Sequence, residues 1–101
     1  MLSIKESHLK DESVIKLGGV LDLESTAELK GILNGCLARG QKSVRIDMEM
    51  VEFISSSGVG ALMNFQQEIN KVEGRLVLEK LSQQCLYVLN LLRLTDFFTI
   101  K

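Results

Sequence analysis

Apolar residues alternate with polar ones in several short stretches and recur every three or four residues in the stretches between them. Alternation is typical of β-strands, whereas the longer spacing is typical of amphipathic helices. The chain therefore predicts five strands and three helices in the order β-β-α-β-α-β-α-β. The predicted strands are 2–7, 13–21, 43–50, 75–81 and 97–101, and the predicted helices are 22–40, 58–74 and 82–94.

The third strand, 43–50, predicts how the layers are arranged. A strand covered on both faces would be apolar throughout, but this one alternates, so we expect the helices mainly on one face. Strand–helix–strand units give parallel pairs, and the first two strands form an antiparallel hairpin in which Gly18 and Gly19 predict a bulge or close backbone approach. The predicted fold class is α/β (α+β-like), a four- to five-stranded mixed sheet in a single domain over 1–101. The inward set is Val44, Ile46, Met48 and Met50, and the outward set is Arg45, Asp47 and Glu49.

Serine and glycine residues mark the ends of the predicted helices. Ser25 is the predicted N-cap of the first helix, with Glu28 at the capping-box position, and Ser82 opens the third helix. Gly40 and Gly74 are predicted to end the first two helices.

The apolar residues of the third helix exceed one stripe, so this helix is either deeply buried or in contact with a partner; we favour burial. The predicted stripes are Leu29, Ile32, Leu33, Cys36 and Leu37 in the first helix, Val59, Leu62, Phe65, Ile69 and Val72 in the second, and Cys85, Leu86, Val88, Leu89, Leu91 and Leu92 in the third.

Composition narrows the possible functions. The chain has 101 residues, 46% of them apolar and 25% charged, with a net charge of -1. No basic stripe is present, so direct nucleic-acid binding is not expected. Without a leader or an apolar run of about 20 residues, we expect a cytoplasmic protein with no membrane insertion. A single histidine, His8, and the lack of a cysteine cluster exclude an ordinary structural zinc site. We expect Cys36 and Cys85 to be reduced and buried.

The segment 51–65, "VEFISSSGVGALMNF", places three serines and two glycines where a strand gives way to a helix. A nucleophilic serine needs a base, and nothing places His8 beside Ser56. The nucleophile-elbow pattern G-x-S-x-G is also absent, because Ser55 and Ser57 stand where its glycines belong. We therefore expect no enzymatic activity and no catalytic residue.

Three further interpretations of this segment are phosphate binding by its glycines, helix capping by one serine, and modification of a serine. The glycines of Gly58-Val59-Gly60 lack the lysine of a P-loop and the third glycine of the Rossmann spacing, so we expect no nucleotide or other cofactor. Ser55 or Ser56 can be the N-cap of the helix, which would contribute about 1 kcal/mol to stability and account for one of the three serines. The remaining interpretation is a modified serine, since free N–H groups and the positive dipole end of a helix accommodate a phosphate.

The same segment resembles the signature of STAS domains, the anti-sigma factor antagonist family. That signature reads apolar-x-Phe-Ile-Asp-Ser-Ser/Ala-Gly-Leu-x-x-Leu at a strand-to-helix junction, and the chain has "VEFISSSGVGAL". "GGVLDLESTAELKGIL" resembles the Gly-x-Leu-Asp segment and first helix of the family, and "VLNLLRLTDFFTI" resembles its closing helix and strand. The resemblance spans nearly the whole chain.

The resemblance implies control by phosphorylation. In the family, a kinase that is also the anti-sigma factor phosphorylates the serine after the signature Asp, and the unphosphorylated antagonist binds that kinase and frees the sigma factor. By position, the phosphoacceptor is Ser56. The implied partners are an anti-sigma factor serine/threonine kinase and a serine phosphatase, and we expect a monomer or weak dimer. The expected partner surface is Asp22, Ser55, Ser56, Ser57, Gly58 and Gly60, with Met63 and Asn64 one turn further on.

The sequence departs from the family in two places. Ser55 replaces the signature Asp, which removes a carboxylate beside the acceptor. Lys101 follows the last strand directly, where the family usually adds a helix, so we expect part of the sheet or a groove to be more open. The alternative function is that of a constitutive STAS subunit of another complex, such as a lipid ABC transporter, without a phosphorylation cycle.

Overall fold

The structure, a computed structural model, describes residues 1–101. The five strands form one sheet in the order β1-β2-β3-β4-β5, in which β1 is antiparallel to β2 and all other neighbours are parallel. The predicted element order and mixed sheet are therefore confirmed. The elements are β1 (Leu2–His8), β2 (Glu12–Leu21), α1 (Leu23–Ala38), β3 (Ser43–Ile54), α2 (Ser56–Lys71), β4 (Arg75–Glu79), α3 (Gln83–Leu91) and β5 (Thr99–Ile100).

The hydrophobic core lies on one face of the sheet. Ile15, Ile46 and Leu78 are neighbours in β2, β3 and β4, and each is fully buried. A single cluster of 21 buried residues includes side chains from all three helices, so the helices cover this inner face. Successive residues of a strand point to opposite faces, so the residues that follow these three point to the outer face, the face that bears no helix. No helix combines the length and the apolar character that crossing a membrane would require.

Two irregularities in β3 change which side chains face inward. Where β2 advances from Lys16 to Gly18, β3 advances from Asp47 to Met50, and a second extra residue separates Val51 from Phe53. Each extra residue turns the following side chains to the other face. The predicted irregularity at the glycines of β2 is confirmed, but Met50, predicted inward, is 62% exposed on the outer face. The inward set is Val44, Ile46, Met48, Val51 and Ile54.

The second helix begins and ends earlier than predicted. It ends at Lys71, where Val72 serves as C-cap and is 46% exposed, so the predicted core position of Val72 is wrong. The left-handed residue after the helix is Glu73 (φ 60°) rather than Gly74. The predicted stop of α1 is confirmed, because Gly40 takes φ 74° two residues after its last helical residue.

Helix α3 is less buried than predicted. Ser82 is its N-cap, as expected, and accepts from the Cys85 N–H at 3.2 Å. The preference for deep burial is wrong for Leu86, Leu91 and Leu92, each more than a third exposed. This helix has only nine residues and buries one stripe through Cys85 and Leu89.

Both cysteines are free and buried, as predicted. Burial raises the pKa of the Cys85 thiol, which disfavours the reactive thiolate.

Candidate functional site

Two helix starts lie side by side at one edge of the sheet. Leu21 and Ile54, the last residues of β2 and β3, are neighbours in register, and the Ser55 N–H donates to the Leu21 carbonyl at 2.9 Å. Asp22 and Ser55 follow these strands directly and cap α1 and α2. The structure therefore brings the predicted Gly-x-Leu-Asp segment beside the serine-rich segment.

Asp22, not Ser25, is the N-cap of α1. Its Oδ1 atom accepts from the Ser25 N–H at 3.0 Å, and the Ser25 hydroxyl accepts from the Asp22 N–H at 3.0 Å. Ser25 is thus the third helical residue of a capping box, and Glu28 takes no part in it. The prediction of Ser25 as the N-cap is wrong. Serine and aspartate are equally good N-caps, and the choice between them depends on where β2 ends, which the local sequence does not show. The Ser25 hydrogen bonds hold the pKa of the Asp22 carboxyl below its ordinary value.

This lowered pKa predicts a pH-dependent contribution to stability. A carboxyl with a depressed pKa in the folded state stabilises the protein above its unfolded pKa of about 3.9, and this contribution is lost as the pH falls below that value. Asp22→Asn keeps a good cap but removes the charge. We expect the wild type to exceed this variant in stability at neutral pH and the difference to shrink in acid, measured as urea midpoints. Asp96→Asn, at an exposed turn, is the control, and a pH-independent difference for Asp22→Asn would refute the assignment.

Ser55 caps α2 without contributing charge. Its hydroxyl accepts from the Gly58 N–H at 3.3 Å, and its carbonyl accepts from the Val59 N–H at 3.0 Å. The first turn of α2 contains no acidic side chain. The replacement of the signature carboxylate by serine therefore preserves the cap and leaves the positive end of the helix dipole uncompensated by its own residues.

Ser56 is the first residue of α2 and is exposed, whereas Ser57 is half-buried. Ser55 accepts the Gly58 N–H, but the N–H groups of Ser56 and Ser57, at the first two positions of the helix, have no acceptor within it and are available to an anion. The Ser56 hydroxyl thus lies at solvent beside a group of backbone donors.

The other predicted contact residues divide into two sets. Gly58 is buried, and a Cβ there would lie 2.9 Å from Leu21 Cγ and 3.0 Å from Ile54 Cγ1. Met63 is half-buried and packs against the core. Gly60 and Asn64 are exposed, and with Ser56 they follow the four-residue spacing of one helix face.

Residues of α3 at this edge were not predicted. The Gln84 side-chain carbonyl accepts from the Ile54 N–H at 2.9 Å, so α3 begins beside the end of β3. Tyr87 and Leu91 are 65% and 66% exposed on this helix. The wide apolar surface of α3 was the available sequence signal, but no local pattern indicates a glutamine that hydrogen-bonds to a strand 30 residues earlier.

His8 lies at the other end of the sheet, beside the start of β2. Its Nδ1 atom is 2.8 Å from Ser13 Oγ and its Nε2 atom is 3.0 Å from Glu6 Oε1. This order of groups is that of a hydrolytic triad, but Ser13 is 0% exposed and offers no access to a substrate. The three residues therefore stabilise the β1–β2 hairpin through side-chain hydrogen bonds. No three His, Cys, Asp or Glu side chains are grouped so that they would hold a metal ion.

Comparison with known proteins agrees with this architecture. The family model described as "Mlab, STAS domain" matches residues 4–100. The chain belongs to the STAS domain family. No curated protein matches its sequence.

Solved structures of low sequence identity have the same fold. A candidate anti-sigma factor antagonist from Thermotoga maritima is 20% identical, with a TM-score of 0.88 over 96% of this chain and 84% of that one. An anti-sigma factor antagonist from Mycobacterium paratuberculosis is 19% identical, with a TM-score of 0.88 over 99% and 85%. Phosphorylated SpoIIAA from Bacillus is 22% identical, with a TM-score of 0.78 over 98% and 91%. At these identities the similarity establishes the fold.

Proposed function

We propose that this protein is a non-catalytic anti-sigma factor antagonist whose contact with an anti-sigma factor is controlled by phosphorylation of Ser56. The observation that carries the proposal is the position of Ser56, exposed in the first turn of a helix that has a neutral cap and no acidic residue in that turn. The antagonists among the solved structures support the proposal through their shared fold.

The first turn of α2 suits a phosphate for electrostatic reasons. A phosphoserine carries a charge of about -1.5 to -2, and free N–H groups at a helix start form charge-assisted hydrogen bonds with it. The domain would therefore keep its fold on phosphorylation. Asp22 caps the neighbouring helix, so a phosphate would place a second negative group at this edge of the sheet.

The unphosphorylated edge suits close contact with a protein partner. Ser56, Gly60 and Asn64 present small or neutral polar groups on the exposed face of α2. A Cβ on Gly60 would meet no atom of this chain within 4 Å, so packing within the domain does not require a glycine there. A glycine in a helix costs roughly 0.5–1 kcal/mol relative to alanine, and close approach of a partner explains why it is present.

The test is phosphorylation by an anti-sigma factor serine kinase with ATP, followed by mass spectrometry. We expect one phosphate on Ser56, none on Ser56→Ala, and unchanged incorporation into Ser57→Ala. A serine phosphatase should remove it and restore binding. Phosphate on Ser55 or Ser57 would refute the assignment of the acceptor.

A second candidate is a constitutive STAS subunit of another complex, such as a lipid ABC transporter. One observation favours it: the signature carboxylate is replaced by Ser55. In that case no kinase modifies Ser56, and Ser56→Asp and Ser56→Ala bind the partner complex equally well in a pull-down from the native host.

A further inference from the structure

The outer face of the sheet carries an ordered row of charges. Lys5, Lys16, Asp47 and Glu79 lie side by side in β1, β2, β3 and β4, so two positive charges are followed by two negative ones. Neither lysine takes part in any of the ion pairs of the chain. Like charges directly opposite each other destabilise a sheet, so the lysine pair has no stabilising role within one chain.

A hollow and a projecting side chain lie beside this row. Gly18 forms the floor of the hollow. The position that a Cβ would take there lies only 2.8 Å from Ser3 Oγ and 3.3 Å from Met50 Cβ, so the hollow is narrow at its floor and a larger residue would fill it. Met50, its neighbour on β3, is 62% exposed, and Phe53 further along is 46% exposed. The hollow has a volume of about 360 Å³ and is lined by Ser3, Lys5, Lys16, Leu17, Gly18 and Met50.

We propose that the outer face binds a second copy of this chain. A twofold axis that runs along the strands between β2 and β3 places two outer faces together and reverses the strand order of one copy. Lys5 then faces Glu79 of the partner subunit, and Lys16 faces the partner's Asp47. Asp47 is only 7% exposed and already lies 3.8 Å from Lys80 Nζ of its own chain, so the Lys16 contact contributes less than the Lys5 contact. Met50 faces the partner's Gly18, so that the exposed side chain enters the hollow. A twofold axis across the strands would instead bring equivalent lysines together, which like-charge repulsion disfavours.

The dimensions of this face predict a weak dimer. Four strands at a spacing of about 4.8 Å and about five residues per strand at about 3.3 Å give a patch of about 19 by about 17 Å, or about 320 Å² per subunit. The total of about 640 Å² is smaller than a stable specific interface, so the dimer is expected to be weak and transient. Glu79 also lies 3.5 Å from Arg45 Nε, so the partner's Lys5 joins an existing ion pair and gains less than a free pair would provide. Packing through the outer face leaves Ser56 and the helices uncovered.

Sedimentation velocity of the whole chain tests the proposal between about 10 µM and about 1 mM, the range in which weak interfaces dissociate. We expect a concentration-dependent dimer that weakens as salt is raised. Lys5→Glu and Glu79→Lys should each raise the dissociation constant at least about tenfold. Mixing the two variants should restore association, because the introduced glutamate of one variant then faces the introduced lysine of the other. The unchanged Lys5 and Glu79 of the mixed pair also face each other.

Lys30→Glu, the same charge change on an exposed position of α1, is the matched control and should dimerise as the wild type does. Thermal unfolding of each variant separates loss of the interface from loss of the fold. A wild type that stays monomeric throughout the range would overturn the proposal. So would a dimer that Lys5→Glu leaves intact, or two single variants that fail to associate when mixed although both are folded.

Discussion

Gly58→Ala is expected to destabilise the domain by about 1–3 kcal/mol, the usual cost of forcing an extra group into a packed core. The added Cβ would lie 2.9 Å from Leu21 Cγ and 3.0 Å from Ile54 Cγ1, at the point where α2 leaves the sheet. Neither neighbour has free space to enter, because Leu21 is 0% and Ile54 2% exposed. Urea unfolding, which gives the free energy of unfolding directly, is the measurement.

Gly60→Ala is the matched control, with the same substitution two residues further along the same helix. A Cβ there meets nothing within 4 Å, and replacing an exposed helical glycine by alanine stabilises by roughly 0.5–1 kcal/mol. The two substitutions should therefore change stability in opposite directions. Equal effects would contradict the packing described for the start of α2. If Gly60 also approaches a partner, Gly60→Ala should weaken partner binding while it stabilises the free domain.

Phosphorylation of Ser56 is expected to lower the affinity for an anti-sigma factor about ten- to hundredfold while leaving the domain folded. Each lost contact or new repulsion of about 1.4 kcal/mol corresponds to a tenfold change, and a charge of about -1.5 to -2 at the centre of the contact affects more than one. Ser56→Asp should have a smaller effect in the same direction. Its melting temperature should not fall, since a negative charge at a helix start stabilises by roughly 0.3–1 kcal/mol.

Titration calorimetry measures the affinity for the anti-sigma factor, and thermal unfolding curves of the same variants measure the melting temperature. Ser56→Ala should bind as the wild type does, because losing one hydroxyl from a neutral surface removes little. Ser7→Asp is the matched control, since it makes the same change on an exposed position of β1, at the other end of the sheet. If Ser7→Asp weakens binding as much as Ser56→Asp does, the loss of affinity is caused by the change in net charge and not by a charge at the start of α2, and the prediction is wrong.

The periodicity of the sequence was sufficient to predict the sheet and which face the helices cover, because alternation and helical spacing are local signals. The prediction failed where pairing between strands determines which face a side chain points to. The two extra residues of β3 are set by pairing with β2, so strict alternation placed Met50 on the wrong face. For the same reason the local pattern predicts Ser25 as the cap of α1, although the end of β2 fixes the cap at Asp22.

The candidate site was predictable in part. The serine segment marks the start of α2, but its sequence cannot separate an interior glycine from an exposed one. Gly58 and Gly60 differ only through the side chains of β2 and β3 that lie beneath the helix. The approach of Gln84 to Ile54 depends on how far β4 extends, since β4 pairs with β3 only as far as Asp47. Such long-range relations are set by tertiary packing.

The hydrogen bond between Gln84 and the Ile54 N–H has a consequence during synthesis on the ribosome. Beyond Asp47, β3 has no strand on its β4 side, and α3 packs against it instead. Until α3 has emerged, the far half of β3 is an open edge that contains Val51 and Phe53, and unpaired apolar edges recruit other chains. A nascent chain that stalls after β4 is thus exposed to aggregation, and the last fifth of the chain, which contains α3, covers the strand edge made before it.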